Sequence, residues 1–253
     1  MKVNLSKVAK RFFSSSDVVQ SFSRGKLSSK EKKLFKKYLI NKGKVLDICC
    51  GAGRVSIPLS KRGFKVVGID NSKEMIEAAK RIARKKKVKN IVFLCDDASK
   101  INFEKESFDY VLIMENSLES IFFKNKIEKI IKKCYSFLKK DHILIASFNS
   151  CFYPKIFFKF FTKKIINSLL SLARISSKND PHNIFLRIKE FNKSITFYVF
   201  TPFEVRRMLK KAGFDSFEIL SFNELGHKSR FKNIKIYRYL RPFLYCYWIA
   251  KKE

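Results

Sequence analysis

None of the six cysteines pairs with another as Cys-x-x-Cys, which excludes a zinc ribbon and a thioredoxin-like motif. No apolar run reaches the ~18–20 residues that a membrane-spanning helix needs. The first twenty residues, "MKVNLSKVAKRFFSSSDVVQ", lack the apolar stretch of a signal peptide. The expectation is therefore a cytoplasmic chain whose thiols are reduced and mostly buried. Histidines number only three and no metal-ligand cluster is visible, so no metal is expected. Acids are scarce too, 22 against 55 basic residues, for a formal net charge of +33. Glycine is rare, eight in 253 residues, yet Gly51 and Gly53 stand one residue apart.

The positive charge is unevenly spread. Residues 1–44 carry +11 and residues 151–200 carry +7. A field of that sign draws nucleic acid, an anionic membrane or an acidic substrate. Of the 55 basic residues 42 are lysine and 13 arginine, and arginine is the better reader of phosphates and bases. A lysine-rich coding bias is thus the competing explanation.

From Lys44 onward, apolar strands alternate with helical patterns. "KVLDIC", "KVVGID", "NIVFLC", "FDYVLIM" and "HILIASFN" read as strands. Between them "GRVSIPLSKRG", "SKEMIEAAKRIARKKK" and "NKIEKIIKKCYSFLK" read as helices. Strands that are apolar throughout point to a parallel sheet covered on both faces. The pattern breaks after Ser150 and resumes at "TPFEVRRMLKKAGF", followed by late strands near "SFEILSF" and "PFLYCYWIA". Upstream, residues 1–27 are weakly patterned, and Ser28 with Glu31 forms a capping-box signature that opens a short helix. Four segments follow: a basic N-terminal helical arm (1–43), a core (44–150), a basic aromatic insertion (151–200), and a C-terminal helix with strands that complete the sheet (201–253).

A strand, a glycine turn and a helix make a ligand site, because glycine lets the backbone come close and the first helical N–H groups face the ligand. A phosphate-binding P-loop is excluded, since no Gly-Lys-Ser/Thr follows. The dinucleotide pattern Gly-x-Gly-x-x-Gly is not met either, because Ser56 stands at its third position. Three acids end three successive strands. Asp47 suits a positive amino group, Asp70 suits both hydroxyls of a ribose, and Asp97 suits an adenine amino group. Together they describe an amino-acid nucleoside better than a pyrophosphate.

These motifs resemble the class I S-adenosylmethionine-dependent methyltransferases, of the type 11 and type 25 kind. "VLDICCGAGR" is similar to their first motif, "VVGIDNSKEMIEAAK" to the second, and "CDDASKINFEKESFDYVLI" to the next two. "KKCYSFLKKDHILIASFN" and "TPFEVRRMLKKAGF" resemble later elements of the same family. The resemblance implies a Rossmann-like, doubly wound, mostly parallel seven-stranded sheet with a reversed late strand, and a helical lid inserted after the fifth strand. It implies S-adenosyl-L-methionine as cofactor, held by Asp47, Cys49, Gly51, Gly53, Asp70, Asn71, Asp97, Ala98, Met114 and Asn116. Met75 packs either on the adenine or in the helix core. Cys49 replaces a usual glycine, where a positive φ would strain it, and Lys139-Lys140-Asp141 replaces a usual Pro-Gly-Gly turn. Neither Cys49 nor Cys50 is read as a nucleophile.

Methyl transfer from a sulfonium needs alignment more than a base, so the acceptor is harder to read than the cofactor. Glu115 is the candidate base or acceptor-orienting group, with His182 and Tyr153 in the insertion as weaker candidates. "PKIFFKFFTKKIINSLLSLAR" projects as an amphipathic helix with Lys155, Lys159 and Lys163 on one face and phenylalanines on the other. That helix reads as a lid over a small or amphiphilic acceptor, as a basic helix on an anionic membrane, or as part of an RNA footprint. A peripheral membrane position, an RNA methyltransferase, a non-catalytic cofactor-binding subunit and an aminopropyl transferase stay open. The expected function is methyl transfer to a small-molecule or lipid-like acceptor.

Overall fold

The computed structural model describes residues 5–121, 123–148, 185–190, 193–198, 200, 202–221 and 246–253. Helices α1 (Leu5–Phe13), α2 (Ser16–Arg24) and α3 (Ser29–Tyr38) precede β1 (Lys44–Ile48). Then come α4 (Ser56–Lys61), β2 (Lys65–Asp70), α5 (Lys73–Lys85), β3 (Ile91–Cys95) and β4 (Phe108–Ile113). A 3-10 turn (Ser117–Ser120), α6 (Lys124–Phe137) and β5 (Leu138–Phe148) follow. The later elements are β6 (Phe185–Glu190), β7 (Lys193–Tyr198), α7 (Pro202–Ala212), β8 (Ser216–Ser221) and β9 (Cys246–Lys251).

Seven strands form one sheet in the order β3-β2-β1-β4-β5-β9-β8. The first five are mutually parallel, and β9 runs antiparallel to both β5 and β8. The expected α/β class and reversed late strand are both present. Parallel neighbours need crossover helices that cover the sheet's faces, so β1 and β4 are buried nearly end to end. On one face α6 and α7 pack against Leu46, Ile69, Val111 and Leu144. On the other, α3 and α4 pack against Val45, Val66, Leu112 and Ile145. Edge strand β3 is different. Its Phe93 is buried among residues of α4 and α5, while Val92 and Leu94 are 54% and 37% exposed. No helix lies between β3 and β4 to cover them.

Local signals end the helices where the sequence predicts. The capping box of α3 is complete, with Ser28 N–H donating to Glu31 and Glu31 N–H donating to Ser28 Oγ. Ser72 Oγ accepts from Met75 N–H at the start of α5. Gly63 and Gly213, at φ +94° and +111°, close α4 and α7. Helix α4 is shorter than its pattern, since the residues before Ser56 are spent on the glycine turn. At the replaced Pro-Gly-Gly position, Asp141 takes the left-handed conformation at φ 62° and β5 runs through it.

The N-terminal arm is helical, as expected, and more fully so than its pattern suggests. Residues 1–27 read as weakly patterned, but α1 and α2 are ordered helices, and Ala9, Phe12 and Val18 pack on Ala52, Met75 and Ala78. Between β5 and α7 the structure adds an antiparallel pair, β6–β7, that the sequence reading did not foresee. Strand β7 approaches both α1 and the 3-10 turn. The amphipathic stretch 154–174, Tyr153 and His182 lie outside the described residues. Among the described residues, no helix is long and apolar enough to cross a membrane, and no cluster of metal-ligating side chains occurs. Of the described cysteines, Cys50 and Cys134 are buried, Cys49 is half-buried and Cys95 is exposed, so the thiols are less uniformly buried than expected.

Candidate active site

After β1 the chain reverses through three left-handed residues: Cys49 at φ 58°, Gly51 at +52° and Gly53 at +79°. Cys49 thus adopts the conformation flagged as strained for a residue with a Cβ. The two glycines serve different ends. A Cβ on Gly53 would stand 2.9 Å from the Phe93 ring and 3.0 Å from Ile57, so packing and φ both demand glycine. A Cβ on Gly51 would find nothing nearer than Phe22 at 3.7 Å. Gly53→Ala should therefore cost about 2–4 kcal/mol of stability, read by urea denaturation. Gly51→Ala should cost only about 1–2 kcal/mol but weaken ligand binding more than Gly53→Ala does; the reverse ranking would contradict these assignments.

Gly51 lines a cavity of about 350 Å³ at the carboxyl ends of β1 to β4. Asp47, on β1, is 1% exposed and accepts from Ser56 Oγ. Burial pushes its carboxyl up to about 7; the Asp70 charge adds to the rise, while Ser56 and Arg54 oppose it. Asp70 ends β2 and accepts from Gly51 N–H and Ser72 N–H, both at 2.9 Å. Burial raises its carboxyl above the usual range despite those donors. Asp97 accepts from Ser99 N–H at 2.9 Å, Ser99 Oγ at 2.8 Å and Lys126 Nζ at 2.6 Å. Burial works to raise it, but Lys126 and Ser99 outweigh burial and hold it below its usual value.

Asn71, Met75, Ala98, Met114, Glu115 and Asn116 line the same cavity, as does Cys49; Gly53 does not, and instead borders a separate cleft. Burial pushes the Cys49 and Cys50 thiols well above the ordinary range. Neither thiol ionises readily, which removes the condition for a nucleophile. Met75 is 1% exposed, packed in the arm's cluster, and also faces the cavity.

Three groups at the site are missing from the sequence reading. The arm walls the cavity with Ala9, Lys10, Phe12, Phe13 and Phe22, and Phe13 stacks edge-on with Phe12 and with Phe22. Lys126 reaches Asp97 from α6. Arg54, two residues before α4, grips Glu31 of α3 at 2.6 and 2.8 Å, donates to Lys26 O at 3.1 Å, and pairs with Glu115 at 2.7 Å. One guanidinium thus joins the arm, the glycine turn and the end of β4. Burial works to raise the Glu31 carboxyl, but Arg54 and Ser28 outweigh it and hold it below its usual value. The arginine is visible in "GAGR", but its partners lie 23 residues before it and 61 after it.

The strand order reverses between β1 and β4, and the cavity opens at that switch point. This is where doubly wound α/β sheets hold their ligands. Glycine turn, strand-end acids and cavity together form the ligand-binding end of a doubly wound α/β domain.

Residues 45–141 match the methyltransferase domain family. A ubiquinone biosynthesis O-methyltransferase of Pelagibacter ubique is 39% identical over 115 residues, 45% of each chain. The chain thus spans about half the length of that curated relative. A demethylmenaquinone methyltransferase of Staphylococcus saprophyticus is 27% identical over 213 residues, 78% of this chain and 84% of that one. A SAM-dependent methyltransferase structure from Methanosarcina mazei superposes with a TM-score of 0.62 at 23% identity, covering 87% of this chain and 96% of that one; it shares the fold. Over residues 45–141 the chain is thus similar to the methyltransferase domain family, and beyond that span it shares the fold of S-adenosylmethionine-dependent methyltransferases.

Proposed function

We propose that this chain transfers the methyl group of S-adenosylmethionine to a small amphiphilic acceptor seated between the arm and the ends of β1 and β4. The observation that carries the reading is the convergence of Asp47, Asp70 and Asp97, from three adjacent strands, with Gly51 on one cavity. The residues fit the cofactor. Each Asp70 oxygen takes one backbone N–H, which leaves lone pairs for two ribose hydroxyls. The open space beside Gly51 suits the methionine part. Asp47 offers a carboxylate to a positive amino group.

When bound, S-adenosylmethionine supplies an electrophilic methyl group on a sulfonium. The chain's part is alignment and exclusion of water. Phe12, Phe13, Phe22 and Ile121 give the cavity an apolar wall, which favours an amphiphilic acceptor. The names of two relatives, for ubiquinone biosynthesis and demethylmenaquinone, support an acceptor of quinone type. Glu115 is ion-paired with Arg54, yet burial raises its carboxyl above the ordinary value against that pairing; it serves as base or as acceptor-orienting group.

Calorimetric titration with S-adenosylmethionine and S-adenosylhomocysteine tests the reading. Micromolar binding is expected, and no binding by the folded protein overturns it. Asp70→Ala should weaken both ligands by more than about tenfold, since two hydrogen bonds to a charged group are lost. Unchanged affinity would remove the ribose assignment.

A further inference from the structure

We infer that Asn116 is the acceptor-binding group, and that it receives a hydroxyl carried on an aromatic body; the inference rests on the methyl-transfer reading above. Asn116 Oδ1 is buried without a hydrogen-bond partner, in a side chain that lines the cavity. Buried acceptors are nearly always satisfied, and an orphan at a cavity marks a place where a ligand completes the set.

The backbone is fixed there. Asn116, at φ 54°, directly follows Glu115 at φ 56°. Two successive left-handed residues that are not glycine are uncommon, and such conformations gather at functional sites. Asn116 N–H donates to Ser147 Oγ of β5 at 2.9 Å, which holds the turn. The neighbouring carboxylate does not compete, because Glu115 is drawn to Arg54 at 2.7 Å.

Position separates this group from the nucleoside contacts. Strand β4 lies on the opposite side of β1 from β2 and β3. Asp70 and Asp97 therefore stand toward one end of the cavity and Asn116 toward the other. The phenylalanine wall of the arm suits an aromatic ring. A carbonyl or ether oxygen brought against Oδ1 would leave two acceptors facing each other, whereas a hydroxyl donates to it.

Titration of the S-adenosylhomocysteine-loaded protein with 1-naphthol and 1-methoxynaphthalene tests this, since the probes differ by one donor. Wild type should bind the naphthol about tenfold or more tightly than the ether. Asn116→Gly keeps the left-handed turn and should equalise the two. Asn116→Asp keeps an acceptor and should preserve the preference. The resemblance assigns Asn116 to the cofactor; here it serves the acceptor instead, so S-adenosylhomocysteine affinity should stay within about threefold in both variants. Equal binding of the probes by wild type, or a preference that survives in Asn116→Gly, overturns the inference. So does a large loss of S-adenosylhomocysteine affinity in folded Asn116→Gly, because Asn116 would then serve the cofactor while the methyl-transfer reading stands. Wild type that binds no S-adenosylhomocysteine overturns both.

Discussion

Arg54→Gln should lower the melting temperature by about 10 °C. Arg54 and Glu31 side chains are 12% and 4% exposed, so removing the guanidinium strands a buried carboxylate. Breaking such a pair from one side costs about 3–5 kcal/mol, and each kcal/mol is about 2–4 °C in a chain of this size. The double variant Arg54→Gln, Glu31→Gln should recover much of the loss, because an amide no longer carries a charge out of water. Additive losses in the double-mutant cycle would mean that the two side chains act independently. Turnover should not return with stability, since Glu115 loses its partner in both variants. Lys at position 54 should rescue only in part: its ammonium cannot grip Glu31 with two parallel N–H groups and hold Glu115 as well.

Asp47→Asn should stabilise the protein above pH 7 while weakening the cofactor. The Asp47 carboxyl is raised by burial from 3.8 to about 7. Between those two values the folded chain holds a proton that the unfolded chain has lost, so this group's contribution falls as pH rises from about 4 to about 7. Above pH 7 the ionised carboxylate costs at most about 4 kcal/mol, and asparagine removes that cost while keeping an acceptor for Ser56. The melting temperatures of wild type and variant should nearly coincide at pH 4 and diverge to a plateau near pH 8. Parallel curves across that range would contradict the assignment. Asp70 is raised in the same direction, so the variant keeps some slope of its own. Cofactor affinity should rise with pH through neutrality in wild type, as ionised Asp47 meets a cation, and lose most of that rise in the variant.

What the sequence made legible is what depends on neighbours. Strand runs such as "KVVGID" declare themselves by composition, and Ser28 with Glu31 declares a cap because both bonds close within four residues. Gly51, Asp70 and Asn71 were readable because a turn and a strand end fix them locally. Arg54 was not: its function lies in Glu31 and Glu115, which only the tertiary fold brings together. The two leading helices of the arm were less legible for a related reason. Helices α1 and α2 span nine residues each, too short to hold themselves in water. They owe their order to Ala52, Met75 and Ala78, which no local pattern could nominate. Gly53 was read as a ligand contact because its motif position suggests one, but Phe93 and Ile57 occupy the space where its Cβ would lie. Nor did any local signal mark Glu115 and Asn116 as left-handed.

Edge strand β3 gives the two ends of the cavity unequal stiffness. It is bonded to β2 on one side only, and among the described residues no helix covers Val92 and Leu94. Its backbone amides should open by local fluctuation at less cost than those of β1 and β4 in the middle of the sheet. Asp96 and Asp97 follow that strand directly, so in the proposed seating of the cofactor the adenine end would hang on the softer margin and the methionine end on the rigid centre. A nucleoside bound there would carry protection outward from the centre to the edge. Its departure would begin at the base, with the sulfonium end the last to be released.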